Sequence, residues 1–207
     1  MDIDVFDQNP WGTNYWIVSR AGSRDAVLID LGYAPDDVRA RVEGAGLRVA
    51  AVVLTHAHLD HAQAAGTFAG DEVPVHIHQD DAVAFTDIDA WNPGFANPLD
   101  PVKDLRILVH GDVLDFDGFS LETVHTPGHT PGHCSFLTDG VLFSGDLVFA
   151  GSIGRTDLAN GDPEAMQTSL DWFLTLADEI PVYPGHGGTT TVGRERASNP
   201  FLAGMGS

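Results

Sequence analysis

The chain predicts an α+β fold in which two β-sheets pack face to face with helices on the outside. Three observations carry that expectation. The 207 residues fall into two halves, each running from short apolar segments into stretches with helical spacing. Four of the apolar segments end on His or Asp, at residues 56–61, 129, 146 and 186. No fixed-period repeat or low-complexity stretch divides the chain, and its length suits one core, so residues 1–207 are expected to form a single domain.

In the first half, residues 15–18 and 26–29 are apolar runs joined by a turn-forming segment, which reads as a strand pair. Residues 35–46 open on Pro35 and the acidic pair Asp36 and Asp37, space Val38, Val42 and Ala45 helically, and close on Gly46. Those are helix boundary signals. Residues 49–54 suit a buried strand, and residues 62–66 suit the helix after it. Residues 73–78 form a further strand whose alternation puts His76 and His78 on one face. These are expected to be paired or exposed surface histidines, because no neighbouring Asp-His pair completes a chelate. Residues 79–85 read as a helix, and the aromatic-rich residues 90–101 as a long loop, either a lid or a packed surface crossing.

The second half opens with alternating runs, residues 112–116 and 119–124, around the hairpin signal Asp117-Gly118. Pro127-Gly128 and Pro131-Gly132 then force sharp turns within residues 125–133. Residues 135–137 and 141–144 flank another turn at Asp139-Gly140. Residues 163–177 place Met166, Leu170, Phe173, Leu174 and Ala177 on one helical stripe that faces a core. A last apolar run, residues 181–183, leads into Pro184-Gly185-His186-Gly187.

Net charge is −20, with a pI near 4.4 and Lys103 as the only lysine. Such a surface repels phosphate backbones and anionic headgroups, which argues against nucleic acid and membrane partners and leaves a small-molecule substrate. The single cysteine, Cys134, excludes an intrachain disulfide and a cysteine-based zinc knuckle, and reads as a buried, inert thiol. A basic-then-apolar leader and a run of about 18 apolar residues are both missing, so a cytoplasmic location is expected. Oligomeric state is left open.

Residues 55–61 read T-H-A-H-L-D-H, three imidazoles and a carboxylate at the point where a strand gives way to a helix. Neutral nitrogen and anionic oxygen are the ligands that zinc and its neighbours accept. His129, Asp146 and His186 arrive at three other strand ends. Asp30, also at a strand end, is expected to cap a loop. The candidate metal ligands are therefore His56, His58, Asp60, His61, His129, Asp146 and His186.

H-A-H-L-D-H, T-P-G-H, S-G-D and P-G-H-G, in this order, resemble the metal-binding motifs of the metallo-β-lactamase-fold superfamily over about residues 14–188. The resemblance implies a four-layer αββα sandwich of two mixed sheets flanked by helices. It also implies two divalent metal ions, zinc first, with iron or manganese as alternatives. One would be held by His56, His58 and His129, the other by Asp60, His61 and His186, with Asp146 bridging. Asp60 and Asp146 are the catalytic carboxylates on this reading. His125 and His133 are left with structural hydrogen bonding.

Within the superfamily, residues 126–133 together with S-G-D-L-V-F-A-G-S-I-G-R-T-D resemble the glyoxalase II enzymes, especially their short bacterial relatives. Hydrolysis of an acyl thioester by a metal-bridging hydroxide is what this implies, with Arg155 as a substrate-binding residue unless Asp157 pairs with it. The chain departs from full-length glyoxalase II, which carries a further helical domain whose basic residues hold glutathione. Poor affinity for the glutathione part is therefore expected. G-R-T-D also resembles persulfide dioxygenases, which implies a rival reading of one iron on His56, His129 and Asp146. A lactonase or lactamase using the same hydroxide is a third, and a non-catalytic metal-binding protein a fourth.

Overall fold

Strands whose side chains are apolar on both faces must be covered on both faces, and the fold follows from that demand. In the computed structural model, which describes residues 1–70, 72–91 and 98–203, the first sheet contains β1 (Asp2–Phe6), β2 (Tyr15–Ser19), β3 (Asp25–Ile29), β4 (Arg48–Val53), β5 (Val75–His78) and β6 (Leu105–Leu108), in that spatial order. Its first two pairings are antiparallel and the other three parallel. The second sheet is built from β7 (Val113–Phe116), β8 (Phe119–His125), β9 (Cys134–Thr138), β10 (Val141–Gly145), β13 (Pro181–Pro184) and β14 (Thr190–Thr191), with β11 (Val148–Phe149) and β12 (Ser152–Ile153) forming a small ribbon beside it. Its order is β14-β13-β10-β9-β8-β7, and only β10 and β13 run parallel.

Seven helices accompany the sheets among the described residues: α1 (Pro35–Gly44), α2 (Leu59–Ala62), α3 (Ala65–Ala69), α4 (Gln79–Ala82), α5 (Ile88–Trp91), α6 (Pro163–Phe173) and α7 (Val192–Ser198). Along β2, Trp16 and Val18 face the second sheet, where they meet Phe136 and Phe143, while Tyr15 and Ile17 join the layer that includes Val38 and Val42 of α1 and Phe68 of α3. On the far side, Met166, Leu170 and Phe173 of α6 and Val192 of α7 cover Leu142 and Val182. The result is an αββα sandwich of mixed sheets, as expected. None of the described helices is long and apolar enough to cross a membrane.

Several boundaries differ from the sequence expectation for local reasons. The 163–177 stripe ends as a helix at Phe173, because Leu174 caps it and turns follow. The 35–46 helix closes at Gly44, and the 79–85 segment splits into α4 and a 3-10 turn at Val83–Phe85. β1, β6, β14 and α7 lie outside the sequence assignment. β1 and β6 are edge strands, where one exposed face dilutes the apolar signal. The lid expectation for residues 90–101 falls mostly on residues 92–97, outside the described residues.

Candidate metal centre

Every candidate ligand leaves a strand at its C-terminal end. β4 delivers residues 55–61, β10 delivers Asp146, β13 delivers His186, and β8 leads into the loop carrying His129. Gly185 permits the close packing of two of these ends, since a β-carbon there would overlap Asp146 Oδ1 and sit 2.8 Å from His61 Cε1. Asp30 ends β3 with φ 64°, and its buried carboxylate accepts from Thr55 N at 2.7 Å and Thr55 Oγ1 at 2.8 Å. It caps the 55–61 loop as expected, and it also contacts His61 Nδ1 at 2.8 Å.

These outer contacts decide which ring nitrogens face inward. Thr55 Oγ1 donates to Asp30, so it must accept from His56 Nδ1 at 3.0 Å, which leaves the lone pair on His56 Nε2. That Nε2 is buried without a protein partner. His61 Nδ1 donates to Asp30, His129 Nδ1 donates to Arg155 O at 2.8 Å, and His186 Nδ1 donates to Gly12 O at 3.2 Å. Each of those rings then offers Nε2, as oriented metal-binding histidines do. His58 turns its Nδ1 toward His129 Nε2, 2.8 Å away.

The inward atoms form overlapping groups. Ligand atoms of His56, His58 and His129 lie within 4.8 Å of one another, as do those of Asp60, His61 and His186, and those of His56, His61 and Asp146. Asp146 stands between them, with Oδ1 3.4 Å from His61 Nε2 and Oδ2 3.4 Å from His129 Nε2 and 3.6 Å from His186 Nε2. His186 Nε2 is 3.2 Å from Asp60 Oδ2, and Thr13 Oγ1 donates to the same oxygen at 3.0 Å. The Nε2 lone pair of His56, buried with no proton to meet, is costly in itself. A pair of divalent cations fits this donor set, and Asp146 Oδ1, also buried without a partner, fits a shared ligand.

Charge follows the same division. Burial holds His58 down to about 3, with His129 and His61 reinforcing it, and pushes His56 well below its usual range. Burial opposes a charge on His61 too, but Asp146, Asp60 and Asp30 outweigh it and raise the imidazole to about 10. For Asp60, burial acts upward and is overcome by His61 and His186, so its carboxyl is held low. In metal-free protein the His61 imidazolium therefore contributes stability that is full below pH 6.5 and is lost as pH rises through about 10. Thermal melts are expected to show EDTA-treated protein losing stability across that window. Metal-loaded protein, with His61 already neutral as a ligand, is expected to stay level.

His133 is fully buried and accepts from Asp146 N at 2.9 Å through Nε2, while Nδ1 donates to Thr126 O at 3.0 Å. His125 Nε2 donates to Pro131 O at 2.8 Å. Cys134 is buried between the sheets, and burial raises its thiol far above the usual range. Arg155 lines the mouth of the site, but its guanidinium is engaged by Asp157 at 2.7 and 2.9 Å. The mouth, about 280 Å³, also presents Trp11, Leu59 and Leu158.

Sequence reasoning overlooked Trp11, Thr13 and Asp81. Asp81 is fully buried, 24 and 51 residues from the two backbone N–H groups it serves. Its Oδ1 accepts from Gly132 N at 2.8 Å and Trp91 Nε1 at 3.1 Å, and its Oδ2 from Thr130 Oγ1 at 2.7 Å and Ala57 N at 3.0 Å. It thereby ties the loop carrying His56 and His58 to the loop carrying His129. His76 and His78, expected to be paired or exposed at the surface, are both buried, and the fold brings Asp80 and His125 to His78.

The metallo-beta-lactamase superfamily profile matches residues 9–188, and the chain belongs to that superfamily. The hydroxyacylglutathione hydrolase GloC of Haemophilus influenzae is 37% identical over 187 residues, covering 86% of this chain and 88% of that protein. Among solved structures, the BLEG-1 B3 metallo-beta-lactamase superposes with a TM-score of 0.89 at 31% identity, covering 98% of this chain and 100% of that one. TTHA1623 in a di-iron-bound form gives 0.83 at 35% identity, covering 96% and 100%. ETHE1 from Myxococcus xanthus gives 0.82 at 27% identity, covering 99% and 85%. The fold and family make the chain a metallohydrolase-type protein.

Proposed function

We propose that this chain is a dinuclear hydrolase of the glyoxalase II type that splits an acyl thioester with water into a carboxylate and a thiol. The observation that carries the reading is the meeting of two ligand sets on Asp146. His56, His58 and His129 would hold one ion, and Asp60, His61 and His186 the other. Zinc suits this nitrogen-rich set, with iron or manganese as alternatives. Such ions, when bound, supply a hydroxide nucleophile at neutral pH and polarise the carbonyl under attack.

The protein residues supply position. Asp60, held as an anion and fixed by Thr13, would accept a hydrogen bond from the attacking water and so orient it. His133 fixes the backbone of Asp146, so that carboxylate is aimed before anything binds. A thiol leaves as a weak base, which agrees with the lack of a further acid at the mouth among the described lining residues. The likeness to the Haemophilus influenzae hydrolase favours a thioester over other acyl groups.

Substrate selection follows from the mouth. Trp11, Leu59 and Leu158 offer apolar contact, and the Arg155–Asp157 pair leaves little positive charge for a glutathione carboxylate. S-lactoyl-type thioesters with a small or apolar thiol carrier are therefore preferred. Asp157→Asn is expected to free the Arg155 fork and lower KM for S-lactoylglutathione about three- to tenfold while kcat stays within about twofold. Steady-state kinetics on the glutathione ester and an uncharged thiol ester would separate this from a general change.

Metal-loaded protein assayed on a panel of acyl thioesters and lactones tests the proposal, alongside metal counting. Two ions per chain with thioester turnover supports it. Lactone turnover alone would keep the chemistry and replace the substrate. One iron per chain with oxygen uptake would instead establish the mononuclear oxygenase reading, which the second ligand set on Asp60, His61 and His186 argues against.

A further inference from the structure

We propose a separate cation site, formed by His78, Asp80 and His125, that takes a divalent ion of the zinc, nickel and copper class. His78 ends β5 in the first sheet and His125 ends β8 in the second, so the site would clip the two sheets together along one edge. One ligand atom from each of the three residues lies within 4.8 Å of the others, and none of the three belongs to the centre at Asp146. Two nitrogens and a carboxylate make a donor set that such ions accept, with water completing the shell.

His78 is held neutral, and both lone pairs converge on one ion once one ring turns out of the present stack. His78 and His125 are stacked, with centroids 4.0 Å apart and planes 10° apart. Two imidazolium rings would repel in that arrangement, and burial, with His125 behind it, brings His78 down to about 4, so it is neutral at physiological pH. His125 Nε2 donates to Pro131 O, which leaves the lone pair on Nδ1. His78 Nδ1 is 3.7 Å from Asp80 Oδ2 and accepts only a long bond, 3.3 Å, from Asp80 N. A metal–nitrogen bond of about 2.0–2.1 Å replaces that contact with a much stronger one. His110 Nδ1 accepts from His125 N and is turned to that task instead.

The acidic side of the site is divided between neighbours. Asp80 is exposed, so its carboxylate is available to rotate onto an ion, whereas Asp81 is fully buried and saturated by four donors. Asp112 adds negative potential near His78. In a chain of net charge −20 the surroundings concentrate cations instead of excluding them.

Equilibrium dialysis against micromolar zinc, followed by metal counting, tests the site on wild type, Asp80→Asn and His125→Gln. Wild type is expected to hold one ion more per chain than either variant, and the side-chain 15N shifts of His78 and His125 to move to metal-bound values. Asp80 is exposed, so its variant keeps the test valid if His125→Gln fails to fold. Equal metal content in all three proteins, or a zinc-dependent ion with unmoved His78 and His125 resonances, overturns the proposal. The readout is a difference of one ion, so it stands apart from how many ions the Asp146 centre holds.

Discussion

Asp146→Ala is expected to lower kcat/KM by at least about a thousandfold and to reduce bound metal by one ion or more per chain. Among the described residues, Asp146 is the one carboxylate within 3.6 Å of His61, His129 and His186 at once, so its loss would leave two cations with Asp60 as the remaining anionic side chain of the set. Asp146→Asn keeps the shape and removes the charge. It should bind one ion and show a comparable rate loss, which separates charge from volume. Metal analysis beside kinetics on one thioester checks both. Two retained ions with near-normal turnover in the alanine variant would remove the shared-ligand role.

Asp81→Ala is expected to cost about 3–4 kcal/mol, because it leaves four buried donors on Ala57, Trp91, Thr130 and Gly132 without an acceptor. For a chain of this length the melting temperature should fall by about 10 °C. Asp81→Asn can satisfy only one oxygen's pair of donors and turns an amide NH2 toward the other pair, so it should recover only part of the loss. Activity should fall more than stability alone explains, since the two loops Asp81 joins carry His56, His58 and His129. Urea unfolding and metal affinity, measured on both variants, would show whether the defect lies in folding alone.

The difference between these two carboxylates marks what a sequence can disclose. Asp146 follows an apolar run and arrives with Ser144 and Gly145 in a motif, and the seven candidate ligands sit at strand ends that hydrophobic patterning locates. Their chemistry is local in sequence, since residues 56–61 hold four of them. Asp81 has no such signature, and for Asp30 the strand end discloses a loop cap but not the contact with His61. Each is an acidic residue near a strand end, and its task depends on backbone donors that only the tertiary fold brings near. His78, expected at the surface, is buried for the same reason: its stacking partner His125 is 47 positions away, and the stack exists only after the sheets dock. Arg155 was legible as a candidate beside Asp157, while the apolar wall at Trp11 comes from a segment with no periodic pattern.

The division of ligands between the sheets sets an order of events during synthesis. Residues 56–61 emerge from the ribosome first, with His129, Asp146 and His186 still to be made. The early chain can hold a cation only loosely through its H-x-H-x-D-H segment. A closed cage requires β13 to be synthesised and laid beside β10, since only then does His186 reach Asp60. On that ligand set, metal selection would wait until β13 has docked, and the ion chosen would be the one available to an already folded protein.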